Sequence, residues 1–286
     1  LEAKSLQYSR LEVTGPAEVS LAPAAFYVAG KRDDRKRLLS ETLIVVEPKD
    51  GAVWQAPQGQ WTLYSYSTYH HPGADGGRVN YLDPNLMEVF IPIAHQPYAD
   101  HFPDQMGNTI AGVFVDNEGD YGWKMAWSDY LPKRYQEIKG RDLRLWLPLL
   151  TEQDAEGVWV KARYDWFDVV SDIYEHHFIG RMSDWLAEKN MYCISNLWEE
   201  SLMFQTRAVG DFMRMQRSVT MPGTDCLEMK SQQVHDFKET QSVCEFEDRP
   251  CMSELMGVAG WEQTPNQMKM TLNSVTAWGV THTVPH

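Results

Sequence analysis

From about residue 105 onward, short apolar runs alternate with helix-length segments, and the runs lead into polar, mostly acidic turns. This alternation limits the fold more than any other feature of the sequence. Parallel strands cannot be joined by a tight turn, so strand–helix–strand order implies a parallel sheet with helical crossovers. The strand-like runs are 109–115 (TIAGVFV), 191–196 (MYCISN), 218–221, 251–253 and 279–284 (GVTHTV). Helices are expected over 128–140 and 163–190. In the second of these, Trp166, Val169, Val170, Ile173, Phe178 and Met182 recur at spacings near three and four. Further helical stretches run to about Arg217 and precede Pro250, and Thr264-Pro265 opens a last helix to about Trp278. These make five strand–helix steps.

Trp61–Tyr69 (WTLYSYSTY) alternates apolar and hydroxyl-bearing residues, a strand pattern. Paired with a helix opening at Asp83-Pro84 and kinked by Pro92 and Pro97, it reads as a sixth step. Six strands fall short of the eight in a closed barrel of this type. The expected class is therefore α/β: a (β/α)8 TIM-type barrel, incomplete at its N-terminal side, over residues 55–286. Residues 1–54 are expected to be a β-rich segment or barrel insertion. There Leu6–Val13 and Thr42–Glu47 read as strands, the charged run 31–37 (KRDDRKR) as a solvated loop, and Pro57-Gln58-Gly59 as a turn.

The 286 residues carry a net charge of −14, with a pI near 5.0. That balance opposes nucleic acid and anionic membranes as partners, since both need a basic face. No apolar run reaches the roughly 18 residues of a membrane span. The 11 Trp and 13 Tyr suit sugar stacking and equally suit the core of a large α/β enzyme. Cys193, Cys226, Cys244 and Cys251 show no metal-site spacing and read as buried free thiols, a Cys244–Cys251 bridge requiring export. Residue 1 is Leu and no signal peptide is visible, so the compartment is not read from this end.

In parallel barrels the active site lies at the C-terminal ends of the strands. Four strand ends here carry acids: Asp116 with Glu118, Glu199 with Glu200, Asp225, and Glu254. Cleaving a glycosidic bond needs one acid to protonate the leaving oxygen and a second carboxylate to activate water or attack the anomeric carbon. Tyr121, Trp123 and Trp198 stand near enough in sequence to desolvate such an acid and raise its pKa. Each acid also has a plainer reading. The loop DNEGDYG around Glu118 suits a catalytic acid, a calcium loop or a simple turn. One of Glu199 and Glu200 can face substrate while the other caps a helix or pairs with Arg207. Asp225, after Pro-Gly, also fits a turn or a helix N-cap, and Glu254 an ordinary ion pair. The candidate sugar-binding residues around them are Asp116, Asn117, Tyr121, Asn196, Trp198, Asp225, His70, His282 and His286. The last three are strand-end histidines that could equally be structural. No GxSxG elbow, GxGxxG or Walker-type loop, or HExxH motif is present.

Seven blocks in order, VNYLDP (79–84), GVFVDNEG (112–119), SNLWEESL (195–202), VGD (209–211), MPGTD (221–225), SELMGVAGW (253–261) and GVTHTVPH (279–286), resemble glycoside hydrolase family 106, the α-L-rhamnosidase type with a (β/α)8 catalytic domain. The resemblance covers roughly residues 55–286. It implies an inverting hydrolase of oligosaccharide or polysaccharide, with Glu118 as acid, the base in the Glu199–Glu200 pair, and Glu254 in the site. It also implies a fragment of a longer enzyme and a secreted or periplasmic location. No cofactor is required by the sequence, and the resemblance implies that Ca²⁺ can hold the sugar. Two positions depart from the family pattern: Asp116-Asn117-Glu118-Gly119 stands where Asp-Glu-Pro is usual, and Asn196 where His is usual. Asn117-Glu118 also resembles retaining barrel hydrolases, in which case Glu254 is the nucleophile. The rival readings are a non-catalytic carbohydrate-binding protein on a degenerate barrel and a polysaccharide lyase, the latter disfavoured by the acidic strand ends.

Overall fold

The computed structural model describes residues 3–47, 53–70, 79–117, 125–197, 202–227 and 234–286. Its strands, in chain order, are β1 (Lys4–Ser20), β2 (Phe26–Arg32), β3 (Ile44–Val46), β4 (Val53–His70), β5 (Gly112–Asn117), β6 (Ala126–Trp127), β7 (Tyr192–Leu197), β8 (Met221–Cys226), β9 (Met252–Leu255) and β10 (His282–Pro285). They form two five-stranded sheets, one in each of two compact units. The first unit comprises residues 81–123 and 171–286, and the second residues 2–80 and 124–170.

The second unit holds the antiparallel sheet, ordered β3-β2-β4-β1-β6. Its long central pair, β1 and β4, is in register from Lys4 opposite His70 to Ser20 opposite Val53. Trp61–Tyr69 is therefore a strand, as its alternation predicts, but it pairs with antiparallel neighbours and not with the parallel set. Pro57-Gln58-Gly59 is not a turn. Gly15 pairs with Gly59 and Ala17 with Ala56, so the extra residue at Pro57-Gln58 forms a bulge within β4. Both glycines are needed there: a Cβ on Gly15 would lie 1.9 Å from the Pro57 carbonyl oxygen, and Gly59 has φ +127°. One face of the sheet packs Val13, Leu21, Tyr27, Ala29, Trp54, Ala56, Trp61 and Leu63 into a core. The hydroxyl-bearing face of β4 serves a polar network. Arg32 donates to Thr62 Oγ1 (2.8 Å), the Tyr64 hydroxyl (3.0 Å) and Glu152 (2.5 Å), and Arg10 donates to Glu152 (2.9 Å). Lys31 and Arg32, expected in a solvated loop, thus belong to β2, where Arg32 is half-buried. The rest of that run does form a turn, in which Arg37 pairs with Asp33.

The first unit holds the parallel sheet, ordered β10-β9-β8-β7-β5, in which each strand neighbours the next in chain order. All five expected strands are present and parallel. This establishes the mixed α/β class. Among the described residues the sheet is open, with β5 and β10 at its edges, and no eight-stranded ring is closed. The crossovers are helical. Val158–Tyr174 continues through a π-helical turn, Glu175–Ile179, into Gly180–Ala187, and Asn190 at φ 57° ends the segment. Gln205–Val209 and Phe212–Arg217 fill the next crossover and Val234–Phe246 the one after it. Pro265–Ala277 fills the last, opened by a capping box between Thr264 and Gln267. Cys226 and Leu255 pack beneath Phe237, Cys244, Cys251 and Val275 in one apolar core. All four cysteines are buried and none forms a disulfide. The Asp83-Pro84 helix breaks where its prolines predict, into Leu86–Ala94 and Gln96–His101. None of the described helices is long and apolar enough to cross a membrane.

Two strand boundaries move. The strand expected at 218–221 is β8, so Met221-Pro-Gly-Thr-Asp is itself the strand and Asp225 lies inside it. Gly223 sits there because the chains approach closely: a Cβ would come within 2.4 Å of the Ser195 carbonyl oxygen and 2.3 Å of Met252 Cε. β9 likewise runs on to Leu255 and carries Glu254 within it.

Candidate active site

In a pleated sheet, registered partners on neighbouring strands project to the same face. Asp116 pairs with Asn196, Asn196 with Gly223, and Asp225 with Glu254. Glu254 pairs with Val284, so His286, two residues on, shares that face as well. One face of the sheet, at its C-terminal end, therefore collects Asp116, Asn196, Asp225, Glu254 and His286.

Glu254 is the best-held of these. Its side chain is 8 % exposed, and each carboxylate oxygen has its own partner. The Asn196 amide donates to Oε2 at 3.1 Å, and His286 Nδ1 lies 3.1 Å from Oε1. The Asn196 contact skips a strand, reaching from β7 over β8 to β9. Flat neighbouring strands lie about 4.8 Å apart, so the contact requires a sheet that curls toward this face, and Gly223 leaves the path across β8 clear. Asp225 sits beside this pair with its pKa pushed up to about 6. Burial is the main cause, the Glu254 and Asp116 charges add to it, and hydrogen bonding from Asn196 opposes it. Among the described residues, Asn196 Oδ1 and Asp225 Oδ1 are buried without a hydrogen-bond partner. A site with acceptors left over and an acid that is partly protonated near neutrality can both accept from and donate to sugar hydroxyls.

Asp116 is exposed at the end of β5 and faces this group, and Asn117 closes the same strand. Glu118, Tyr121, Trp198, Glu199 and Glu200 lie outside the described residues, in the segments that follow β5 and β7. His282 stands at the N-terminal end of β10, the opposite end from Glu254, with Nδ1 2.9 Å from Thr281 Oγ1. His70 ends β4 in the antiparallel unit, opposite Lys4. A pair the motif reading passed over, His235 and Asp236, opens the helix Val234–Phe246 with Nε2 2.6 Å from Oδ1. Asp236 is likewise pushed up to about 6 by burial. The only sequence signal for it is an adjacent His-Asp pair, too common to single out. Among the described residues, no group of three or more His, Cys, Asp or Glu side chains is placed to hold a metal ion.

Asp116, Asp225 and Glu254 thus share one face of the parallel sheet, with Glu254 held across the curl by Asn196 from β7. The family model of glycoside hydrolase family 106, alpha-L-rhamnosidase, matches residues 35–286. The chain belongs to this family. Its fold is similar to that of a rhamnosidase from Novosphingobium sp. PP1Y, with a TM-score of 0.66 and 20 % identity over 87 % of this chain and 26 % of that one. It is also 21 % identical over 248 residues to a Formosa agariphila protein named "Putative beta-glucuronidase", covering 82 % of this chain and 20 % of that protein. The chain thus spans about a fifth to a quarter of the length of these relatives.

Proposed function

We propose that this chain carries the catalytic face of a family 106 glycoside hydrolase that cleaves a terminal glycoside, α-L-rhamnoside first among candidates, in an oligosaccharide or polysaccharide. In this reading the five parallel strands are part of a (β/α)8 barrel. Glu118 protonates the leaving oxygen, and Glu200, or its neighbour Glu199, takes a proton from the attacking water. Asp116, Asn196 and Asp225 contact the sugar, joined by Asn117, Tyr121 and Trp198 from the strand-end segments. The observation that carries this proposal is the Asn196–Glu254–His286 chain beside Asp225, which gathers acids from separate strands on one face. Inversion needs a water between the acid and the base, at a carboxyl separation of roughly 6.5–9.5 Å.

The clamping of Glu254 supports a second mechanism. A carboxylate fixed through both oxygens is oriented for attack, so Glu254 as nucleophile with Glu118 as acid/base would give retention, at a separation of about 5–5.5 Å. Hydrolysis of an aryl α-L-rhamnoside by the full-length protein, followed by proton NMR of the first anomer formed, decides between them. The inverted anomer supports the Glu118–Glu200 pair and the retained anomer supports Glu118–Glu254. Binding of rhamnosides with no turnover would sink both and leave a carbohydrate-binding protein.

A further inference from the structure

His286 lies one residue beyond β10, yet its backbone N–H still donates to the Leu255 carbonyl at 2.9 Å, extending the β9–β10 ladder by one step. That bond fixes the imidazole on the Glu254 side of the sheet. The ring reaches back diagonally, a distance long side chains span on one face of a sheet, and brings Nδ1 to Oε1 of Glu254. An ionised carboxylate only accepts hydrogen bonds, so Nδ1 must carry the proton in this contact. The side chain is 65 % exposed, so the rest of the ring faces outward while Nδ1 is engaged.

Gly257 makes this contact sterically possible. A Cβ at 257 would lie 2.5 Å from His286 Nδ1, 3.3 Å from its Cγ and 2.7 Å from Leu227 Cδ2. The Gly257 backbone is not in the left-handed region, so its lack of a side chain serves the room it leaves for the ring. The loop cannot simply move aside. It is tied to the end of β8 by Met256 N–H to the Cys226 carbonyl and by Val258 N–H to the Leu227 carbonyl, each at 3.0 Å.

We propose that His286 is a positioning residue for Glu254, holding one carboxylate oxygen while Asn196 holds the other, and that position 257 is glycine to admit its ring. The proposal rests on Glu254 belonging to the reaction centre. It departs from the expectation that His286 contacts the sugar directly. A carboxylate with one oxygen released can rotate about its last torsion, and a misplacement of about 1 Å costs on the order of 10²-fold in rate. The loss should fall on kcat, with KM little changed.

The test uses the full-length protein with an aryl α-L-rhamnoside and reads kcat and KM separately, together with the ¹⁵N–¹H signal of the His286 Nδ1 proton. His286→Ala should lower kcat by roughly 10–100-fold. Gly257→Ala, which keeps the histidine but displaces its ring, should reproduce the loss and remove the bonded Nδ1 signal. His286→Asn, whose amide nitrogen stands near the place of Nδ1, should restore much of the activity, whereas His286→Gln, whose donor lies further out, should not. A raised KM at unchanged kcat in His286→Ala would assign the residue to sugar binding and overturn the proposal. If Glu254→Gln abolishes turnover while His286→Ala leaves kcat and KM unchanged, the proposal alone fails. If Glu254→Gln keeps full activity, the reading of the site fails and the proposal with it. An unchanged Nδ1 signal in Glu254→Gln would show that the contact is absent and would also overturn it.

Discussion

In the antiparallel unit Glu152 lies between Arg10 and Arg32, and Asp165 among Lys139, Arg141 and Lys161. At the ends of the parallel sheet, Asp225 and Glu254 have no Arg or Lys within ion-pair distance among the described residues and are held instead by Asn196 and His286. Asp225 responds in the opposite direction to Glu152 and Asp165. Burial works to raise the pKa of Glu152, but hydrogen bonds from Arg10, Arg32 and Tyr64 overcome it and hold the group below its usual value. Asp165 is held low in the same way by its lysines against the effect of burial. Asp225, with no cation to offset burial, is pushed up to about 6. Where charge is balanced, the acids serve the fold. Where it is not, the fold tolerates a cost, and such places are candidate reaction sites.

The comparison can be broken most sharply at the acids themselves. Glu118→Gln and Glu200→Gln should each lower kcat by about 10³-fold or more, with the urea midpoint nearly unchanged. Near-normal turnover in either variant removes that residue from the mechanism. Next in size is Glu152→Ala, which strands Arg32 and should lower unfolding free energy by roughly 3 kcal/mol in urea titration while sparing kcat of the folded protein. A loss as small as that of a surface ion pair would show that the antiparallel network is not structural. The smallest effect is in pH dependence. A carboxyl with its pKa raised on folding favours the protonated state, so its contribution declines as pH rises from about 4 to about 6. Asp225→Asn should flatten that decline and raise the urea midpoint above pH 6. The part that remains belongs to Asp236, which is displaced in the same direction. Glu152 and Asp165, with lowered values, should lose their contribution only as pH falls through the ordinary carboxylate range. Identical pH profiles in the parent and Asp225→Asn would contradict the displacement of Asp225.

The alternation after residue 105 indicated five parallel strands and their helices, because buried parallel strands must be short apolar runs and their crossovers must be long, but it put the third strand at 218–221 where β8 spans Met221–Cys226. Asp116, Asp225 and Glu254 were legible as acids near strand ends, the last two lying inside β8 and β9 and not beyond them. Pro222-Gly223, by contrast, has the composition of a turn and the position of a strand, since Gly223 answers to the closeness of Ser195 and Met252, which no local pattern records. Trp61–Tyr69 declared itself a strand but not its sheet. Period-two alternation fixes which side chains share a face, whereas the partner strand is chosen by register with β1, whose residues lie some fifty positions away. The clamp on Glu254 was equally hidden. Asn196, Gly257 and His286 are spread over three segments, and only the curl of the sheet and the ladder between β9 and β10 bring them to one carboxylate. The amino-acid order thus determined the elements and the kinds of side chain at their ends. The tertiary structure decided which acids meet, because hydrogen-bond geometry and steric fit act over a few ångströms in space and take no account of separation along the chain.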